Sequence, residues 1–272
     1  MKKRILIVLC LLLVGVLGAG GAVGYLTFVR PPVNPPAEAC ADGRTSDSRP
    51  VVVAAGASMT QGTLGADWVG ALRDRPEHRG YEFVNAGVNG STSADLRQRV
   101  DTDILACHPN AVTILIGTND VRDGVSLDQY RDNLNAIVDL IKSRATARIV
   151  LMSLPPLGED LDTAINRKLT AYNTAIKETA ARAQVDYLPV YEQMVEFLQR
   201  RGSDPTPYDF SFALAFGAAT QHYLFGHSWD EVARNGGREL LVDHIHLNDR
   251  GGAVITDLAA QWLSTTGLGR SE

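Results

Sequence analysis

The stretch Val51–Met59, VVVAAGASM, constrains the architecture of the chain more than any other. Five apolar residues, three of them valine, predict a short strand buried on both faces, as in a parallel sheet covered by helices. Gly56 ends this strand, and Ser58 follows on the turn. Because ligands of open α/β sheets bind at the carboxyl ends of the strands, we expect a functional serine here.

Similar apolar runs recur along the chain and alternate with longer amphipathic stretches. Four further runs predict strands: Glu82–Ala86, Ala111–Ile116, Arg148–Ser153 and Val185–Pro189. Five stretches carry the periodicity of helices: Ala66–Arg73, Ser93–Val100, Leu127–Arg144, Thr163–Ala183 and Gly251–Leu263. This alternation predicts one α/β domain with a central parallel sheet over residues 50–272.

The composition is that of a globular protein. The chain has 272 residues, of which 45% are hydrophobic and 21% are charged, and its formal net charge is −5. These values argue against disorder, collagen and coiled coil. Basic residues form no block beyond the extreme N-terminus, so we expect no nucleic acid as a partner.

Residues 1–30 have the pattern of a membrane segment. The basic sequence KKR at positions 2–4 precedes an uncharged run, Ile5–Val29, of 25 residues. About 20 apolar residues span the hydrocarbon core of a bilayer, and the positive charges favour a cytoplasmic N-terminus with the rest of the chain outside. A cleaved signal peptide stays open as the alternative, because Gly18–Gly24 offers small residues for cleavage. We therefore expect a membrane-anchored protein with an extracytoplasmic folded domain, or a secreted one.

Residues 31–49 predict a linker. Pro31, Pro32, Pro35 and Pro36 favour extended polyproline geometry, and a polar stretch follows them. The folded domain is expected to begin near residue 50.

The cysteines suggest one disulfide. Cys40 and Cys107 would both lie outside the cytoplasm, where disulfides persist, whereas Cys10 lies inside the apolar run. We expect a Cys40–Cys107 bridge, with two free thiols as the alternative.

An aromatic-rich insert at residues 202–239 interrupts the strand–helix pattern. Its aromatic residues are Tyr208, Phe210, Phe212, Phe216, Tyr223, Phe225 and Trp229. Long irregular loops in compact domains often act as lids or binding loops, but aromatic residues also pack into small satellite cores. Both interpretations remain open, and the candidate substrate contacts are Phe212, Phe216, Tyr223 and Phe225.

The segments that follow the strands carry the residues of an acyl-transfer site. Ser58 is the candidate nucleophile, and Asp243 and His246, three residues apart, can supply the orienting carboxylate and the base. Acyl transfer also needs hydrogen-bond donors for the developing oxyanion. The side-chain amide of Asn119 and the backbone amide of Gly87 are the candidates.

Together these segments resemble the SGNH hydrolases, the GDSL-type esterases and lipases. The family's Gly-Asp-Ser-Leu turn stands here as Gly56-Ala57-Ser58-Met59, so its aspartate is replaced by alanine. The resemblance implies a flavodoxin-like three-layer α/β/α sandwich, with Ser58, Asp243 and His246 as catalytic triad. It implies an oxyanion hole of Ser58, Gly87 and Asn119, and no metal or organic cofactor.

Residues close to the candidate site residues in sequence are assigned other roles. Gly90 is assigned to backbone geometry, Asp120 to local structure, and His244 is a rival base to His246. Met59 and Asn89 join the candidate substrate contacts. The histidines near the C-terminus match no familiar zinc spacing, so no metal site is predicted.

Three functions follow from this pattern. The first is a serine esterase that hydrolyses an acyl ester of a lipid, glycan or small molecule through an acyl-enzyme. The second keeps the site but transfers or removes acyl groups on cell-envelope glycan. The third is a non-catalytic glycan- or lipid-binding module. The expected partners are an ester substrate and the membrane, and the oligomeric state is left open.

Overall fold

A computed structural model describes residues 2–41, 49–202 and 205–268. Met1, part of the predicted linker, two residues of the insert and the last four residues of the domain assigned to 50–272 therefore lie outside the described residues. The chain begins with helix α1, Lys2–Gly24, which continues as a five-residue π-helical turn, Tyr25–Val29. The stretch Lys3–Val29 is long and apolar enough to cross a membrane.

The centre of the domain is a five-stranded parallel sheet in the order β2-β1-β3-β4-β5. The strands are β1 Val51–Gly56, β2 Glu82–Gly87, β3 Ala111–Leu115, β4 Arg148–Met152 and β5 Asp186–Leu188. All five predicted strands are confirmed, and this order is that of the flavodoxin-like fold. From β1 the chain adds β2 on one side and then β3 on the other side. The segments after β1 and β3 therefore lie at the topological switch point of the sheet.

Helices cover the sheet, and the strand residues of β1 and β3 are buried throughout. The helices before the insert are α2 Pro36–Ala39, α3 Ser58–Gln61, α4 Trp68–Arg73, α5 Ser93–Gln98, α6 Val100–Asp103, α7 Thr118–Asp123, α8 Leu127–Arg144 and α9 Ala164–Ala183. Helix α8 has the predicted bounds because Ser126 closes a capping box with Gln129 at its start. The last helix is α13, Asp249–Thr265.

The insert is helical rather than irregular. It follows α10, Val190–Arg201, which the sequence pattern did not predict, and contains α11, Phe212–Tyr223, and α12, Trp229–Asn235. Its small residues pack into a second core cluster: Val23, Leu64, Ala215, Ala218, Ala219, Trp229, Val232 and Val242. One face of the insert is therefore a satellite core. Its other face leaves large apolar side chains exposed.

The described part of the predicted linker packs against the sheet instead of extending freely. The Asn34 carbonyl accepts a hydrogen bond from the Asn85 backbone amide at 3.1 Å. The Asn34 side-chain amide donates to the Phe83 carbonyl at 2.8 Å. These bonds cover the outer edge of β2, where a parallel sheet otherwise exposes unpaired backbone groups. These hydrogen bonds therefore hold the connection between α1 and the domain against the edge of the sheet.

Cys40 and Cys107 form a disulfide in the structure, at a sequence separation of 67 residues. Replacing both by serine is expected to lower the free energy of unfolding by about 2–4 kcal/mol, since a long closed loop restricts the unfolded chain. Urea unfolding followed by tryptophan fluorescence measures the loss. The matched control is Cys10→Ser, which removes an exposed free thiol. An unchanged unfolding midpoint in the double variant would contradict this stabilising role.

Candidate active site

The turn after β1 places Ser58 at the carboxyl edge of the sheet. A side chain at Gly56 would come within 2.2 Å of the Thr60 hydroxyl and 2.6 Å of the Leu115 carbonyl, so this position requires glycine. The backbone then bends sharply at Ala57, with φ −108° and ψ −144°. Ser58 begins α3 and is partly exposed, while the residues around it are buried. The Ser58 hydroxyl therefore projects from a tightly packed turn.

Three side chains from two distant segments form a hydrogen-bonded row, here called the Ser–His–Asp row. The Nε2 atom of His246 lies 2.8 Å from Ser58 Oγ, although 188 residues separate the two in sequence. The Nδ1 atom of His246 lies 2.7 Å from Asp243 Oδ2. A carboxylate in this position holds one imidazole tautomer and leaves Nε2 facing the hydroxyl. The row can therefore carry a proton from Ser58 to His246.

Asp243 is fully buried but keeps its charge. Its Oδ1 atom accepts hydrogen bonds from the backbone amides of Ile245 at 3.1 Å and His246 at 2.8 Å. Burial is the largest influence on its pKa and would raise it. The charge of His246 and these hydrogen bonds together outweigh burial and lower the pKa of Asp243 below its ordinary value. The carboxylate is thus ionised at neutral pH and can stabilise an imidazolium.

His244 takes no part in the row. It lies between Asp243 and His246 in sequence with a positive φ of 72°, and its carbonyl accepts a hydrogen bond from the Gly158 amide. Burial, followed by the nearby charge of Arg238, lowers the pKa of His244 and keeps its imidazole neutral. The structure therefore places His246, and not His244, beside Ser58.

Two residues that the sequence pattern did not single out hold the segment before Asp243. The Glu159 carboxylate accepts hydrogen bonds from the backbone amides of Glu239, Leu240 and Leu241 at 2.7–3.1 Å. Arg238 donates to backbone carbonyls of the same segment. Burial raises the pKa of Glu159, and the three amides oppose this rise without cancelling it. Both contacts reach backbone atoms, which leave no trace in a sequence motif.

Replacing Glu159 by alanine is expected to loosen this segment. Three buried amides lose their acceptor, and each unsatisfied buried donor costs about 1–3 kcal/mol. We expect a lower Tm and a lower kcat, because the segment carries the row's aspartate and histidine. Circular dichroism melts and ester kinetics measure both. The nearby exposed Asp162→Ala serves as control, and Glu159→Gln, which keeps an acceptor oxygen, should recover part of the loss. Equal behaviour of Glu159→Ala and the control would contradict this role.

Asn119 lies beside the loop that follows β2. It is buried at the start of α7, and its side-chain nitrogen donates one hydrogen bond to the Ser91 carbonyl at 2.8 Å. A primary amide has two N–H donors, so a second stays available. The neighbouring Asp120 accepts hydrogen bonds from the amide and hydroxyl of Ser93. These contacts join the loops after β2 and β3 and fix the direction of the Asn119 amide.

Gly87 does not fit the predicted donor role. Its amide donates to Asn85 Oδ1 at 3.0 Å, and a side chain at this position would come within 2.2 Å of the Gln61 nitrogen. Gly87 is therefore required for close packing against α3. Gly90, which was assigned to backbone geometry alone, has a positive φ of 77° and an amide without a hydrogen-bond partner among the described residues. Its free amide adjoins Ser91, the residue that binds Asn119.

The candidate substrate contacts separate into buried and exposed groups. Met59 is buried, the Asn89 backbone amide donates to the side-chain oxygen of Gln61 at 2.7 Å, and the Tyr223 hydroxyl donates to the Thr63 carbonyl at 2.6 Å. Phe212, Phe216 and Phe225 are exposed. The side chains of these three phenylalanines are therefore open to solvent. Within the described ranges, no three His, Cys, Asp or Glu side chains group as metal ligands would.

Comparisons with known proteins point to one family. The model of the GDSL-like lipase/acylhydrolase family matches residues 54–254. An acetylxylan esterase of Geobacillus stearothermophilus is 29% identical over 133 residues, which cover 44% of this chain and 60% of that protein. The lipoprotein YqeF of Bacillus subtilis is 30% identical over 118 residues, covering 38% of this chain and 48% of that protein. The alignments thus span about half to three fifths of these relatives.

Solved structures share the fold. A crystal structure of the acetylxylan esterase Axe2 from Geobacillus stearothermophilus superposes with a TM-score of 0.57 at 22% identity. The superposition covers 83% of this chain and 98% of that one. A crystal structure of the acetyl xylan esterase AlAXEase gives the same TM-score at 17% identity, covering 79% of this chain and 98% of that one. At these identities, the likeness establishes the architecture.

Proposed function

The chain belongs to the GDSL-like lipase/acylhydrolase family, and from this premise we propose that it is a serine esterase. The observation that carries the proposal is the Ser–His–Asp row, with Ser58 Oγ 2.8 Å from His246 Nε2 and His246 Nδ1 2.7 Å from Asp243 Oδ2. Nucleophile, base and orienting carboxylate stand within hydrogen-bonding distance before any substrate is bound. Membership of the family supports the same reaction class.

The proposed reaction has two steps. Ser58 Oγ attacks the ester carbonyl carbon while His246 Nε2 takes the hydroxyl proton. The bond between the carbonyl carbon and the alcohol oxygen then breaks, and His246 returns the proton to the departing alkoxide. A water molecule attacks the resulting acyl-enzyme, giving one proton to His246. Release of the carboxylic acid returns that proton to Ser58 Oγ. Throughout, Asp243 holds the imidazole and stabilises its charged form.

The oxyanion is proposed to bind the Ser58 amide, the second N–H of Asn119 and the free amide of Gly90. Gly90 replaces Gly87 in this role because the Gly87 amide already donates to Asn85. Preorganised donors of this kind act where negative charge develops, so they stabilise the transition state more than the substrate.

Replacing Asn119 by alanine is expected to lower kcat by about 100- to 1000-fold with a small change in KM, as the loss of one oxyanion donor does elsewhere. Steady-state hydrolysis of p-nitrophenyl acetate measures the two constants separately. Asn235→Ala, an exposed position far along the chain, is the control. A rise in KM at unchanged kcat would assign Asn119 to substrate binding instead.

Hydrolysis is favoured over transfer to a glycan hydroxyl. Transfer needs a site that keeps water from the acyl-enzyme, whereas Ser58 is partly exposed to solvent. The two acetylxylan esterases among the similar proteins make short acyl groups on polysaccharide the first substrates to test. The non-catalytic alternative would require a missing triad residue, and all three are present.

We propose that α1 is retained as a membrane anchor. Val23, in its last turn, is buried in the second core cluster, and Thr27 in the following turn is buried within the domain. A removable signal peptide has no need for such packing. The folded domain would then be held outside the cytoplasm at the membrane surface.

Activity is tested with the full-length protein in detergent. p-Nitrophenyl esters of graded chain length and acetylated xylan are the substrates, and a fluorophosphonate probe reports the nucleophile. Hydrolysis of at least the acetate ester and labelling of the protein are expected. Absence of both from correctly folded protein would overturn the proposed function.

A further inference from the structure

The turn that ends the anchor is built into the domain beside the nucleophile. The Thr27 carbonyl accepts a hydrogen bond from the Thr63 hydroxyl at 2.8 Å, and the Arg30 carbonyl accepts one from the Gln61 side chain at 2.8 Å. Gln61 is the last residue of α3, the helical turn that begins with Ser58. The anchor and the nucleophile turn therefore have a fixed relation to each other.

The same turn is bonded to the insert. The Phe28 and Phe212 rings meet edge to face with centroids 6.4 Å apart, at the first residue of α11. The Arg30 guanidinium donates to the Tyr223 hydroxyl at 3.2 Å, at the last residue of α11. Between these contacts, Val23 packs in the same cluster as Ala218. Helix α11 thus lies along the base of the anchor helix, where a membrane-spanning segment leaves the bilayer.

The outward side of α11 and of the turn that precedes Arg30 carries large apolar side chains. Residues 210–229 contain no Asp, Glu, Lys or Arg. Six large apolar side chains here, called the apolar rim, are 37–73% exposed: Phe28, Val29, Phe212, Phe216, Leu224 and Phe225. Phe212 and Phe216 are four residues apart on α11 and therefore share a face. Large exposed apolar side chains grouped along one helix and the adjoining turn mark an interaction site.

We propose that the apolar rim inserts into the bilayer surface next to the anchor and holds the active site in one orientation toward the membrane. The continuity of the rim with α1 favours this occupant, since the side chains of α1 from Ile5 to Leu17 are themselves exposed and uncharged. Aromatic residues at the end of a membrane-spanning helix favour the interface between headgroups and acyl chains. No second protein is needed to cover a surface that the anchor already places there.

The substrate class follows from this orientation and rests on the proposed esterase function. Ser58 is one helical turn from Gln61, which binds the end of the anchor. An ester carried by an amphiphile in the same membrane reaches this edge of the sheet by lateral diffusion. The enzyme is therefore expected to prefer esters held at the membrane surface over equally reactive esters in solution.

Depth of insertion is measured on the full-length protein in phosphatidylcholine/phosphatidylglycerol vesicles. An environment-sensitive fluorophore is attached through Leu224→Cys in a Cys10→Ser background, because Cys40 and Cys107 are paired. A blue-shifted emission that lipid-attached nitroxides quench is expected. The same label attached through Thr146→Cys, which is exposed just before β4 at the opposite edge of the sheet, should report water. Emission typical of water from both labels would overturn the proposal. A blue shift without quenching by lipid nitroxides would also overturn it, since a second protein copy would then cover the rim.

Substrate preference is measured with two acetyl esters. One has a hexadecyl tail on its alcohol and is dissolved in the vesicles, and the other is ethyl acetate in solution, which has the same kind of leaving group. The paired change Phe212→Ser and Phe225→Ser is expected to lower the ratio of the two rates about tenfold, while Phe212→Leu with Phe225→Leu keeps it. An unchanged ratio in the serine pair, or an equal fall in the leucine pair, would overturn the proposal. If the esterase proposal itself fails, neither ester is cleaved, yet the fluorophore still reports the depth of the rim.

Discussion

Replacing Ser58 by alanine is expected to abolish ester hydrolysis, with a fall in kcat of about a millionfold. The hydroxyl is the only group of the Ser–His–Asp row that can form the acyl-enzyme, and alanine leaves His246 without a proton donor. Since Ser58 is partly exposed and its hydroxyl bonds to no described residue other than His246, the fold should keep its Tm. Hydrolysis of p-nitrophenyl acetate and fluorophosphonate labelling measure the loss.

The matched control is Ser143→Ala, at an exposed serine near the end of α8. It should keep wild-type kcat and the wild-type number of labelled sites. Residual turnover above a thousandth of wild type in pure, folded Ser58→Ala protein would show that another group acts as nucleophile. The proposed reaction would then be wrong, although the geometry of the row would stand.

Replacing Asp243 by asparagine is expected to lower kcat about ten-thousandfold. Asparagine has nearly the same shape but only one acceptor oxygen. In the native protein, His246 Nδ1 lies beside Oδ2, and two backbone amides donate to Oδ1, so both positions must hold an acceptor oxygen. Whichever way the amide turns, one of these donors meets an N–H group. The imidazole then loses its correct tautomer, or the loop that carries it loses its support.

Steady-state kinetics at neutral pH measure this effect, with the rate of fluorophosphonate labelling as a second reading. Asp162→Asn, at an exposed position, is the control and should behave as wild type. A variant Tm close to that of wild type assigns the lost rate to the orientation of His246. Unchanged labelling and turnover in Asp243→Asn would remove Asp243 from the proposed mechanism.

The regular part of the fold was predictable because its signals are local. Helix α8 reveals itself through apolar residues on one face and a capping box at Ser126, and the five strands through short apolar runs. Helix α11 has neither signal. Alanine, glycine and aromatic residues occupy all its sides, and its small residues pack in one cluster with Val23 and with residues of α12. Such packing depends on partners far away in sequence.

The candidate site was predictable only as far as side-chain chemistry marks it. Ser58, Asp243 and His246 stand out because serine, aspartate and histidine follow glycine-rich strand ends or lie three residues apart. Gly87 and Gly90 could not be separated by sequence, because both are glycines in one loop and only the hydrogen bond to Asn85 distinguishes them. Glu159 was missed because it binds backbone amides.

The amino-acid sequence by itself determined the alternation of strands and helices, the residue types at the strand ends and the apolar N-terminal segment. Each of these is a property of neighbouring residues, and neighbouring residues set local conformation and hydropathy. The tertiary structure alone decided which amides remain free, how the insert packs, and that the anchor turn is bonded to α3 and α11. These depend on distances between segments far apart in sequence, such as Ser58 and His246 at 188 residues and Arg30 and Tyr223 at 193, and only the folded chain sets such distances.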